Sequence, residues 1–220
     1  MSCRCLWRAC CIVTLVTQAA CFQAVMHGPR VEKGLSGLAG ASVGMGPTHT
    51  EGDEGGLRLR NAPIGLGIGY GWRGETSRDA SLFTGLYVPL AFPFAQLDVF
   101  AQAPEAWTGA TTGGVGVNVA VDHVAPYLQW GRVNDRGGGW SLIQGVSMRT
   151  DDEHSLRQLT WTPGLAAHIG GTRSRVHLYA MGAFGRIRNS CVSTSECGRK
   201  TWALQTGLTL ELLFRKRNGS

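Results

Sequence analysis

From residue 34 onward, large apolar side chains recur at every second position. The clearest run is Ile64-Gly65-Leu66-Gly67-Ile68-Gly69-Tyr70-Gly71-Trp72, in which bulky groups alternate with glycine. In a strand the two sets point to opposite faces, so one face meets an apolar medium and the other a space where only bare backbone fits. Val115, Val117, Val119 and Val121 alternate in the same way with Gly116, Asn118, Ala120 and Asp122. Trp202, Leu204, Leu208, Leu210, Leu212 and Phe214 form a similar apolar set, with Thr206 its one polar member. Ten such runs can be drawn, at 35–46, 64–72, 82–91, 94–102, 113–121, 127–132, 140–148, 159–169, 176–185 and 202–214.

Between the runs lie turn compositions, among them 47–56, Arg73-Gly74-Glu75-Thr76-Ser77-Arg78-Asp79, Asn134-Asp135-Arg136-Gly137-Gly138-Gly139 and 150–154. No helical period of useful length interrupts the series. Short strands at regular spacing predict an all-β fold, a closed antiparallel up-and-down barrel whose even strand count leaves no free edge. The count is ten, or eight if the weak runs at 94–102 and 127–132 are not independent strands. A length of 220 residues holds one such domain and not comfortably two.

The placement of charge decides which solvent the barrel faces. Charged residues make up 16% of the chain, yet the ten runs contain only Asp98, Arg132 and Glu211. A soluble lipocalin-like barrel carrying a hydrophobic ligand, the alternative reading, would place many charges on its outer face. A Lys or Arg facing lipid near the midplane costs about 2 to 4 kcal/mol, and a closed barrel pairs every backbone polar group, as hydrocarbon requires. The pattern therefore predicts a transmembrane β-barrel. By parity the lumen receives Gln96, Asp98, Gln102, Asn118, Gln129, His168, His177, Tyr179, Gln205 and Glu211. Side chains roughly fill a barrel of about eight strands, so these groups are expected to form a hydrogen-bonded plug with negligible conductance. Trp72, Trp107, Trp130, Trp140, Trp161 and Trp202 lie at or near run ends, where aromatic girdles anchor the interfaces.

In these features the chain resembles small bacterial outer-membrane β-barrel proteins. Gln205-x-Gly207-x-x-Leu210-x-Leu212 is similar to the C-terminal signal read by the barrel-assembly machinery, which makes that machinery an expected partner. The first residues carry Arg4 and Arg8, an apolar stretch from Ala9 to Val16, and Gln18-Ala19-Ala20-Cys21. That order resembles a bacterial lipoprotein signal and implies removal of 1–20 and acylation of Cys21, with a palmitate-type anchor. Plain cleavage near Ala20 or Ala24 is the alternative. The organisation implied is a signal at 1–20, a periplasmic linker at 21–33, the barrel at 34–214 and a basic tail at 215–220, with both ends periplasmic. The loops at 47–56, 150–158 and 188–200 would then face outward.

Cys191 and Cys197 enclose a short polar stretch without metal or redox spacing, which reads as a loop disulfide in an oxidising compartment or as two free thiols. No metal, cofactor or catalytic residue is expected. His168 and His177 have Ser174 close in sequence but no acidic residue nearby, and an outer-membrane hydrolase is the remote reading. Asp151-Asp152-Glu153-His154 reads as a solvated acidic loop. The net charge of +6 comes from arginines scattered over many turns with no aromatic-basic stripe, which speaks against nucleic acid. Arg132, Arg136, Arg173, Arg175, Arg186, Arg188 and Arg199 are instead expected to meet membrane lipid phosphates or lipopolysaccharide. A non-enzymatic barrel of the outer membrane, with a structural, surface-interaction or slow-permeation role, is the function class that fits.

Overall fold

The computed structural model describes residues 27–47, 57–60, 64–90, 95–121, 123–150, 156–171, 173–187 and 199–214. Its strands are β1 (Gly34–Pro47), β2 (Leu57–Arg60), β3 (Ile64–Trp72), β4 (Ser81–Pro89), β5 (Gln96–Gln102), β6 (Thr112–Ala120), β7 (His123–Val133), β8 (Gly139–Thr150), β9 (Leu156–Gly170), β10 (Ser174–Ile187) and β11 (Arg199–Phe214). A single helical turn, α1 (Glu105–Thr108), lies between β5 and β6. From β3 to β11 each strand pairs antiparallel with its neighbour in sequence, β1 pairs with β3, and β1 also pairs with β11. The last pairing, from Leu35↔Phe214 to Met45↔Leu204, closes the sheet into a barrel of ten strands. β2 extends the wall only beside Gly44–Pro47 of β1.

Both weak runs are therefore full strands, and the count of eight falls away. The stretch at 127–132 belongs to an eleven-residue strand. Pro126 hid its first half: proline has no N–H to give, and the pairing of β7 with β8 skips Ala125 and Pro126 while keeping register on either side. The turns after β3, β5, β7 and β9 all lie at the end of the barrel where β1 starts and β11 stops. In one of them Asn134 Oδ1 accepts from the N–H groups of Arg136 and Gly138 at 3.0 and 2.9 Å. Gly137 there takes a φ of +80°, which only glycine adopts readily.

Alternation sorts the strands cleanly. Along β3 Ile64, Leu66, Ile68, Tyr70 and Trp72 point outward and are exposed, while the glycines between them face in. Inside, Leu38, Phe83, Tyr87, Phe100, Tyr127, Ile143, Tyr179 and Met181 make the core, which here is the lumen. A Cβ on Gly116 would overlap the Tyr127 ring and one on Gly65 the Tyr87 ring, so the inner glycines make room for aromatic partners across the wall.

Of the segment 21–33 expected as a periplasmic linker, the described part, 27–33, does not lie outside the barrel. From His27 on it runs inside, with His27, Gly28, Pro29 and Val31 buried, and Val31 joins the lumen core. Two features make room for it. Ten strands enclose more than side chains alone fill, and β3 presents bare backbone. A Cβ on Gly71 would overlap the Glu32 carbonyl. Arg175 departs from expectation too: it is buried in the lumen against Glu32 and does not face lipid phosphates. Residues 1–26, and with them Cys21, lie outside the described residues, as do Cys191, Cys197, Arg188 and the 151–154 loop.

Candidate functional site

The lumen half nearest the turns concentrates the polar chemistry. Gln96, Asp98, Asn118, Gln129, His168, His177, Tyr179, Gln205 and Glu211 are all buried on the inner face. They form three groups, two of which meet where Gln129 Nε2 donates to the His27 carbonyl oxygen at 3.4 Å. Gln129, His168, His177 and Glu211 join through Ser141, Asp98 joins His27 and Tyr127, and Tyr179 bonds Ser42. Gln96 Oε1, Gln205 Oε1 and both amide atoms of Asn118 have no hydrogen-bond partner among the described residues, and they sit toward the opposite half.

The first network is a chain of five side chains. Gln129 Nε2 donates to Ser141 Oγ at 3.1 Å. Ser141 Oγ and His168 Nε2 are 2.8 Å apart, the two histidine Nδ1 atoms are 2.8 Å apart, and His177 Nε2 lies 3.3 Å from Glu211 Oε2. The Glu211 carboxylate only accepts, so His177 Nε2–H donates to it, and one proton lies between the two Nδ1 atoms. Glu211 is the acidic neighbour the sequence reading did not find, because the pairing of β10 with β11 sets Arg175 opposite Glu211 and His177 opposite Thr209, thirty-odd residues along the chain.

The second network fixes the charge of His27. Its Nδ1 lies 2.6 Å from the Gly28 carbonyl oxygen, which only accepts. Its Nε2 lies 3.1 Å from Tyr127 Oη and 3.3 Å from Asp98 Oδ2, and the Tyr127 hydroxyl already donates to Asp98 Oδ1 at 2.9 Å. Both ring nitrogens therefore donate, and His27 is an imidazolium paired with the Asp98 carboxylate. Nearer the turns, Arg175 Nη2 donates to Glu32 Oε1 at 2.7 Å, and the Val31 N–H donates to Gln102 Oε1 at 2.7 Å. Burial alone would push the Glu32 carboxyl up. The hydrogen bond and charge of Arg175, helped by Arg73 and Arg30, outweigh it and hold the carboxyl below the usual carboxylate range. At the mouth Arg30 reaches Asp135 at 3.3 Å and Glu105 at 3.7 Å, and Glu105 also takes Arg73 at 3.1 Å.

Parity could have supplied Ser141, Tyr127 and Arg175, which continue the inner sets of their strands. Nothing local marks His27, Val31 or Glu32, whose partners lie 100, 71 and 143 residues away.

The outer face is the second candidate surface. Leu66, Leu128, Leu142, Leu165 and Ile169 are each about half exposed or more. Trp72, Trp107, Trp130 and Trp140 lie at the turn end, and Trp161, Phe184 and Trp202 toward the other, so aromatic residues bracket the apolar band at both ends. Arg132 is the one charged residue seen on the outer face of β7, and it stands opposite Trp140 at the band's edge.

No protein family and no curated protein matches the sequence. Among solved structures, the translocator domain of the autotransporter NalP from Neisseria meningitidis is similar over 83% of this chain and 89% of that one, at 11% identity and a TM-score of 0.31. The chain itself is a closed ten-stranded antiparallel β-barrel.

Proposed function

We propose that the protein is a non-enzymatic barrel of the bacterial outer membrane, with a structural, surface-interaction or slow-permeation role. The observation that carries this reading is the outward apolar band, closed around the whole circumference and bracketed by aromatic residues. Such a surface would aggregate in water and is what the hydrocarbon layer demands. A soluble carrier of a hydrophobic ligand requires the opposite arrangement, with the apolar set inside and charges outside, and the charged groups here line the lumen. The barrel-assembly machinery is the partner implied by the pattern in β11, and exposed Arg132, Arg136 and Arg173, at the turn end where β1 begins and β11 stops, would meet lipid phosphates of the periplasmic leaflet.

Acylation of Cys21 belongs to the same proposal and is tested with it. The Cys21→Ser chain should lose acyl label in wild-type-positive cells yet still need detergent for extraction, and its unheated form should migrate apart from the heated one on SDS gels. Release of Cys21→Ser into the soluble fraction would leave a lipid-anchored soluble protein in place of a membrane barrel. Equal label in both chains would remove the acyl anchor from the proposal.

A further inference from the structure

We propose that the lumen holds a binding site for small guanidinium-type cations, an aromatic cage built around Asp98 that His27 fills as a tethered and incomplete ligand. This goes beyond the envelope-barrel reading and holds whichever solvent surrounds the wall.

The cage is made by Phe83 of β4, Asp98 and Phe100 of β5 and Tyr127 of β7, all buried. The ring centroid of His27 lies 4.5 Å from that of Phe83 and 4.6 Å from that of Phe100, each pair inclined by 44°. Tyr127 stacks on Phe100 at 6.0 Å, and its hydroxyl lies 3.1 Å from His27 Nε2 while donating to Asp98. Asp98 closes the cage with a carboxylate oxygen 3.3 Å from the same nitrogen. Parity on β5 puts Asp98 and Phe100 on one face, and Gly116 opposite Phe100 leaves room for the Tyr127 ring. Aromatic faces attract a cation within about 6 Å, most strongly where water is excluded, and the carboxylate supplies the pairing charge. Apolar side chains in the same space would avoid the cost of burying an ion pair. Such a cage therefore favours a compact positive group over a neutral one of the same shape.

The occupant comes from outside the wall. His27 precedes β1 and belongs to no strand, and the wall holds it as a ligand is held, by its ring and by Gln129 Nε2 donating to its carbonyl oxygen at 3.4 Å. It also leaves part of the site unused. Asn118 of β6 stands opposite Asp98 and is 0% exposed, yet neither its amide oxygen nor its amide nitrogen has a partner among the described residues. Opposed side chains on one face of an antiparallel pair start about 5 Å apart, so this bare amide lies beside the carboxylate. Both N–H groups of the His27 imidazolium are already spent, on Asp98 with Tyr127 and on the Gly28 carbonyl. A guanidinium has further N–H donors in a planar fork that suits a carboxylate. It can pair with Asp98 and still give an N–H to the Asn118 oxygen.

The test empties the cage and offers it three probes. Detergent-extracted His27→Ala is titrated calorimetrically at pH 6 with methylguanidinium, with imidazole, which is then largely protonated, and with pyrazole, a neutral ring of the same shape. Methylguanidinium should bind most tightly and pyrazole most weakly, with about tenfold or more between those two. Adding Asp98→Asn should abolish the preference for charge, and adding Asn118→Leu should bring methylguanidinium down to imidazole. In the wild-type chain the tethered ring competes at an effective concentration on the order of millimolar. Tens of millimolar methylguanidinium should therefore displace it and speed cleavage after Glu32 by a glutamate-specific protease, which sodium chloride at equal ionic strength should not do. Should His27→Ala fail to fold, that protease assay decides alone. Pyrazole binding as tightly as the cations, a methylguanidinium advantage that survives Asn118→Leu, or wild-type cleavage indifferent to methylguanidinium would each overturn the site.

Discussion

Leu142 and Ile143 are consecutive residues of β8, both apolar and of almost equal volume, yet one is 48% exposed on the outer face and the other 2% exposed in the lumen. The outer position asks only for an apolar side chain, because a fluid hydrocarbon neighbour adapts to any shape. The inner position asks for a particular shape, because its neighbours are fixed side chains packed at crystal-like density. The two faces should therefore fail differently when mutated. Leu128→Arg is the sharpest test, since Leu128 is exposed on the outer face opposite Gln144, between the levels of Trp130 and Trp161. We expect a loss of about 2 to 4 kcal/mol in urea-unfolding stability when the barrel is embedded in lipid, and a much smaller loss in a detergent micelle. An equal loss in both would show that Leu128 packs against protein.

The interior should respond to lost partners. Asp98→Ala leaves the His27 imidazolium without its carboxylate and Tyr127 without its acceptor. A loss of about 1 to 3 kcal/mol is expected for a buried donor left unpaired, and it should be the same in lipid and detergent. The combined variant His27→Ala with Asp98→Ala should recover part of it. If the double variant is as unstable as the sum of the singles, the pair does not couple and the assigned charge of His27 is wrong.

The same difference explains what could be read from the sequence. The outer face was legible because it is a one-body rule: alternate positions apolar, charges excluded, aromatics at the ends. Ile64 to Trp72 obeys it without reference to any other segment. Pro126 obscured half of β7 because one residue that cannot complete a ladder breaks the local signal, although the strand keeps its register through it. The polar inner set was legible as a set, by parity, and not as networks. That His177 faces Glu211 depends on the register of β10 with β11, and that Glu32 meets Arg175 depends on the chain re-entering the closed wall. Contacts across 143 residues leave no periodic trace, so the segment at 27–33 read as linker.

The smallest effect expected belongs to Glu32. Its carboxyl is held below its ordinary range in the folded chain, chiefly by Arg175 working against burial. A carboxylate with a lowered folded value contributes its full stabilisation above the unfolded value of about 4.3 and loses it as pH falls through the lower folded one. Glu32→Gln keeps a side-chain oxygen for Arg175 and removes the charge. It should lower stability slightly at pH 7, leave any change between pH 7 and 5 as in wild type, and flatten the decline below about pH 4, where wild type alone still has this carboxylate to protonate. Acid-unfolding curves of the two chains should therefore converge as pH falls. Curves that stay parallel down to the lowest pH would mean that Glu32 does not titrate with folding and that Arg175 holds it by geometry alone.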